Sequence, residues 1–130
     1  MNTKHAFISL ISSAILCTFM AANANAGDLL KCEKRVSKSP ARSRISVEVE
    51  DQVAGALYTA MVSSGANTAQ STLAADNLGV AEFDFDSNKK DIAAGATAIP
   101  ASFISGDVSV KVTDALGVVI AEDSVACRIR

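Results

Sequence analysis

The densest group of acidic residues lies in the segment EFDFDSNKKD. Asp84, Asp86 and Asn88 carry oxygen ligands at alternate positions, which is how a calcium loop of the EF-hand type begins. Counted from Asp84, the sixth position is Lys89, where such a loop needs glycine, and the twelfth is Gly95, where it needs a bidentate glutamate. The segment therefore favours a strand followed by a turn. The alternative is that the protein is a weak calcium-binding surface protein.

A second group of residues with ligand-binding chemistry is basic. Clustered positive charge binds polyanions, such as acidic polysaccharide, lipid phosphate or extracellular DNA. Basic residues also deter sheets from aggregating edge to edge, so a solvated edge is the simpler explanation. The candidate polyanion contacts, interrupted by one acidic residue, Glu33, are Lys31, Lys34, Arg35, Lys38, Arg42 and Arg44.

The first 26 residues predict export of the chain. Lys4 lies in a short polar start, an apolar stretch follows, and Ala24 and Ala26 have the small-x-small spacing that signal peptidase requires. We expect a signal peptide over residues 1–26 and a single domain over residues 27–130. Cleavage would remove Lys4 and no acidic residue, so the 12 Lys and Arg would become 11 against 14 Asp and Glu, a net charge of −3. That balance opposes specific nucleic-acid recognition, and no later segment is apolar enough to span a membrane.

The cysteines agree with an exported, periplasmic or extracellular location. Cys17 would leave with the signal peptide, so that Cys32 and Cys127 would be the remaining pair. In an oxidising compartment such a pair usually forms a disulfide, which here would tie the first strand to the last and close a loop of about 95 residues. A redox-active or metal-binding pair is disfavoured because there is no CxxC spacing.

Catalytic chemistry has little support in the sequence. The single histidine, His5, lies in the predicted signal peptide, so residues 27–130 have no Ser-His, Cys-His or histidine-based metal site. They also have no glycine-rich phosphate loop. Carboxylate pairs such as Glu48 and Glu50 lie two residues apart on a presumed solvent face, which favours solvated surface charge over acid–base catalysis. We therefore predict that the protein is not an enzyme and binds no cofactor.

The elements that must position these residues are predicted to be strands. Residues 45–50 and 108–113 alternate strictly between apolar and polar side chains, as half-buried strands do. Ala81, Phe83 and Phe85 should face the core, which places Glu82, Asp84 and Asp86 on the solvent side. Asp76 and Asp114 each begin a D-x-L-G-V segment, which is typical of a tight turn.

About seven short strands with turns at this spacing indicate an all-β fold. We predict a single β-sandwich of immunoglobulin-like or transthyretin-like type, with the Cys32–Cys127 disulfide between its first and last strands. These observations favour a small secreted or periplasmic, non-catalytic structural or interaction domain. Its partner would be a protein or a polyanion of the envelope or extracellular space.

Overall fold

The structure, a computed structural model, describes residues 29–130 and is nearly all β. The predicted signal peptide, residues 1–26, lies outside the described residues. Nine strands form within residues 29–130, and seven of them have six or more residues, which agrees with the predicted number. The elements are β1 (Leu30–Arg35), β2 (Arg42–Val49), β3 (Leu57–Ser64), β4 (Asn67–Ala74), β5 (Ala81–Asp86), α1 (Lys89–Ala93), β6 (Thr97–Ala98), β7 (Val108–Asp114), β8 (Val119–Val125) and β9 (Arg128–Ile129).

The strands form two packed sheets, so the predicted sandwich is confirmed. One sheet has the order β6-β5-β2-β1-β9 and the other the order β4-β3-β7-β8. The chain changes sheet after β2, β4, β6 and β8, so that successive pairs of strands alternate between the two sheets. In the part of the chain that the structure describes, no helix has the length and apolar character needed to cross a membrane.

The core is built from the alternate residues that the sequence pattern predicts. Ile45, Val47, Phe83 and Phe85 are completely buried in the middle of the first sheet. They pack against the buried valines of β7 and β3 in the second sheet. Because side chains alternate between the faces of a strand, the polar residues between them face outward.

The predicted disulfide between Cys32 and Cys127 is present. Cys32 lies in β1 and Cys127 immediately precedes β9, with their Cα atoms 4.8 Å apart. β9 pairs in parallel with β1, so that Arg128 lies opposite Glu33. The bridge therefore holds the last strand beside the first, as expected.

The position of Asp86 differs from the prediction. The alternating pattern of residues 81–86 predicts that Asp86 is exposed to solvent on β5, but it is only 2% exposed. Arg42, from the neighbouring strand, covers the carboxylate, and the backbone amide of Asn88 donates to it at 2.9 Å. Asn88 caps the start of α1, so the chain turns back beside the carboxylate. Asp86 therefore lies on the outer face of its sheet but is shielded from solvent.

The two D-x-L-G-V segments form the same turn. Asp76 Oδ1 accepts from the amides of Leu78 and Val80 at 2.8 and 3.0 Å. Asp114 Oδ1 accepts from the amides of the two corresponding residues, each at 2.9 Å. The fourth residue of each turn is a glycine with positive φ, +76° at Gly79 and +80° at Gly117. In both turns the aspartate and the glycine set the backbone conformation.

Substitution of these glycines should separate conformational strain from steric overlap. Gly117→Ala is expected to lower the free energy of unfolding by about 1–2 kcal/mol, because a Cβ there meets no atom within 4 Å and only the left-handed conformation is penalised. Gly79→Ala should lower it by roughly 1–3 kcal/mol more, because the methyl group would overlap the carbonyl oxygen of Gln52. Urea unfolding of both variants measures the difference. Equal decreases in the free energy of unfolding would show that the loop containing Gln52 moves away from the new methyl group at no cost.

Candidate functional site

Three loops meet at one end of the sandwich, which we call the loop end. They are residues 50–56, 75–80 and 115–118, which follow β2, β4 and β7. The strand register places them together, because Leu57 pairs with Ala74 and Tyr58 pairs with Asp114. Hydrogen bonds also join two of the loops, since the amide of Gln52 donates to the Gly79 carbonyl at 2.8 Å. The loop end is therefore one continuous surface.

The loop end carries most of the exposed apolar side chains. Residues 29–130 have nine large apolar side chains that are exposed to solvent, and six of these lie in or directly beside the three loops. Single exposed apolar residues are ordinary on a protein surface, but a group of them marks an interaction site. The six are Val53, Leu57, Leu78, Leu116, Val118 and Val119.

The two turn leucines are the most exposed of this set. Leu78 is 85% exposed and Leu116 is 89% exposed, at the same position of the same turn. The turn needs its aspartate as acceptor and its glycine for positive φ, whereas the leucine side chain has no part in either requirement. Two solvent-facing leucines in equivalent positions are therefore not explained by folding.

The charge of the loop end is entirely negative. The three loops and the residues next to them include no Lys or Arg. Just below them, Glu48 lies directly opposite Glu82 on the outer face, an arrangement that destabilises a sheet. Among the described residues, no ion pair offsets the charge of this end. Its carboxylates belong to Glu50, Asp51, Asp76 and Asp114.

The opposite end of the sandwich, which we call the basic end, contains three of the six predicted polyanion contacts. It is formed by residues 36–41, α1, residues 99–107 and the residues around β9. Its carboxylates are Asp86 and Asp91, which bind Arg42, Asp107, and Glu33, which lies 3.3 Å from Arg130. Its cations are Arg35, Lys38, Arg42, Lys89, Lys90, Arg128 and Arg130.

Two of the six predicted polyanion contacts have partners inside the fold. Lys34 Nζ donates to the carbonyl oxygen of Ile104 at 2.8 Å, which joins β1 to the loop before β7. Arg42 Nε and Nη2 donate to the two oxygens of Asp86 at 2.9 and 2.5 Å, and Nη2 also reaches Asp91 at 2.8 Å. These two cations hold the structure together and are poorly placed to bind a ligand.

The Arg42–Asp86 pair has the electrostatics of a structural ion pair. Burial by itself raises the pKa of Asp86, but the hydrogen bonds from Arg42 and Asn88 and the charges of Arg42 and Arg44 bring that pKa below its usual value. The hydrogen bond to Asp86 likewise raises the pKa of Arg42. Both groups are thus held in their charged forms at neutral pH.

The other predicted contacts lie on or near the outer face of the first sheet. Arg44 is exposed, Lys38 lies in the exposed loop after β1, and Arg35 is partly buried. Lys31 and Arg44 line a groove of about 470 Å³, together with Glu33 and Arg128. Arg130 joins the same face and lies 3.3 Å from Glu33. Four of the six predicted cations therefore remain at the surface.

The residues of the calcium alternative have separate partners. Asp84 Oδ1 accepts from the hydroxyl of Ser46 at 3.1 Å, and Asp86 binds Arg42. The side chain of Asn88 accepts from the amide of Lys90 at 2.8 Å and so caps α1. Across residues 29–130 no group of three or more His, Cys, Asp or Glu side chains is placed to hold a metal ion.

Reasoning from the sequence did not identify the loop end as a site. The signal was nevertheless available, because the D-x-L-G-V segment occurs twice and places a leucine at the tip of each turn. Whether the two leucines are exposed depends on the tertiary structure, which a sequence pattern does not supply.

Comparison of the chain with protein families, with curated proteins and with solved structures found no match.

Proposed function

We propose that the protein is an exported, non-catalytic interaction domain that binds a partner protein through its loop end. The observation that carries this proposal is the pair of exposed leucines, Leu78 and Leu116, at the tips of two identical turns. A partner that covered them would remove both side chains from water. Burial of one leucine contributes about 1.5–3 kcal/mol, so the two together would provide much of a moderate affinity.

The charge of the loop end restricts the kind of partner. Its carboxylates repel an acidic surface and favour one with basic groups around an apolar centre. Charged groups at the rim of an interface mainly set specificity and association rate, whereas apolar groups at the centre provide most of the affinity. We therefore expect a basic, partly apolar protein surface as the partner.

The scaffold supports a role in an oxidising compartment. The Cys32–Cys127 disulfide fits a periplasmic or extracellular location, where such bonds persist. Rigid strands on both sides of the three loops hold the apolar tips in a fixed arrangement, which lowers the entropy lost on binding. A signal peptide over residues 1–26 would deliver the domain to that compartment.

Site-specific photo-crosslinking tests this proposal. A photoreactive residue at Leu78, introduced in the source cells, should give a protein adduct that Leu116→Ser weakens, and a photoreactive residue at Leu116 should give one that Leu78→Ser weakens. Met61 provides the matched control, because it is 47% exposed on the outer face of the second sheet, away from the loops. Adducts of equal yield at Leu78 and Met61 would contradict a binding site at the loop end.

A polyanion-binding domain is the second candidate function. It is supported by the groove of about 470 Å³, whose lining includes Lys31, Arg44 and Arg128. Retention on a heparin column should fall in Arg44→Ser/Arg128→Ser, and salt should reduce it, because exposed ionic contacts are screened. Lys89→Ser/Lys90→Ser, which removes two exposed cations elsewhere, is the control. Equal retention of the two double variants would show that the groove is not the polyanion-binding site.

A further inference from the structure

We propose that the partner of the loop end is the basic end of a second copy of this chain, so that copies associate head to tail. This inference rests on the proposed function, because it names the partner of the same site. It is carried by the complementary charge of the two ends and by the positions of the exposed apolar side chains.

The basic end has an apolar patch of its own. Val36 is 56% exposed and Ile129 is 61% exposed. They lie close together, because the amide of Val36 donates to the carbonyl oxygen of Arg130 at 2.7 Å. Arg35, Lys38 and Arg130 are neighbours of these two residues in sequence or across the strands. Arg130 lies 3.3 Å from the carboxylate of Glu33. The patch therefore has an apolar centre and a net basic surround, which is the surface that the loop end favours.

Nearly all of the exposed large apolar side chains lie at the two ends. Of the nine large apolar side chains exposed within residues 29–130, six belong to the loop end and two to the basic end. The ninth is Met61, on a sheet face. A head-to-tail contact would cover both apolar groups at once and pair the carboxylates of one copy with the cations of the next.

The charges of the two ends favour head-to-tail association over a twofold dimer. A twofold contact centred on either end would bring that end against its own copy, so like charges would meet. The ends lie on opposite sides of the sandwich, separated by strands of eight residues, or about 26 Å at 3.3 Å per residue. One copy can therefore contact two others at the same time, and repetition of the contact gives an open chain, or a ring where the rotation between copies closes.

Paired variants test the proposal on the mature exported protein. Leu78→Lys/Leu116→Lys disables the loop end, and Val36→Glu/Lys38→Glu disables the basic end. By sedimentation velocity, the wild type should show larger species as its concentration rises, and each variant alone should remain a monomer. An equimolar mixture of the two should form a dimer and nothing larger, because only one intact end of each kind is present.

The chain that carries all four substitutions provides a second measurement. It has lost the exposed apolar side chains of Leu78, Leu116 and Val36, and its loop end keeps four carboxylates, so it should remain a monomer at every concentration. Met61→Lys is the control and should associate like the wild type. A mixture of the two disabled variants that stays monomeric would overturn the head-to-tail proposal. If photo-crosslinking at Leu78 still captured a different protein, the proposed function would stand with that protein as partner.

Discussion

Reduction of the Cys32–Cys127 disulfide is expected to lower the free energy of unfolding by about 4–5 kcal/mol, because the bridge spans 95 residues of sequence. A cross-link of this length removes much of the conformational freedom of the unfolded chain. It also holds β9 beside β1, where only two residue pairs connect the strands. For a domain of about 100 residues, 1 kcal/mol corresponds to roughly 4–8 °C, so the melting temperature should fall by about 20 °C or more.

Thermal unfolding of Cys32→Ser/Cys127→Ser beside the oxidised wild type measures this effect. The wild type after reduction, with two free thiols verified, should melt near the temperature of the double variant. Reductant added to the double variant is the control and should change nothing. A melting temperature that is the same with and without the bridge would show that the terminal strands are held by their hydrogen bonds and packing alone.

Arg42→Met is expected to lower the free energy of unfolding by about 3–5 kcal/mol, the usual loss when one member of a buried ion pair is removed. The substitution leaves the buried carboxylate of Asp86 without its main partner. Arg44→Met is the matched control, because the Arg44 side chain is 57% exposed and its Nε lies 4.0 Å from Asp86. An exposed pair of this kind contributes at most about 1 kcal/mol. Equal losses in the two variants would contradict the assigned role of Arg42.

The pH dependence of the same variant has a definite sign. Arg42 and its neighbours lower the pKa of Asp86 in the folded wild type, so the folded state binds fewer protons than the unfolded state. The stability that ionised Asp86 adds to the folded state is fully present above the pKa of the unfolded state, about 3.9. It is lost as the pH falls through the pKa of the folded state. Without Arg42, the burial that raises the pKa of Asp86 remains, and only the Asn88 amide and the Arg44 charge oppose it. The difference in stability between the wild type and Arg42→Met should therefore narrow on acidification, as urea unfolding at a series of pH values would measure.

Sequence alone was sufficient for the parts of the fold that depend on local pattern. The alternation around Ile45 and Phe83 predicted strands with one buried face, and the D-x-L-G-V segments predicted turns at Asp76 and Asp114. Two cysteines in a predicted exported domain left one disulfide to form. The strand and turn predictions depend on neighbouring residues alone, and two cysteines can pair in only one way. Local periodicity and turn chemistry are therefore enough for them.

The tertiary structure decided which residues share a surface and which charges have partners. Asp86 followed a solvent-facing pattern but is covered by Arg42, which is 44 residues away in sequence. Lys34, predicted as a polyanion contact, donates instead to the carbonyl oxygen of Ile104, 70 residues away in the loop before β7. The three loops of the loop end meet only because β3 pairs with β4 on one side and with β7 on the other. Strand order and register arise from packing between distant segments, so the positions of the apolar tips and of the opposite charges appear only once the two sheets are assembled.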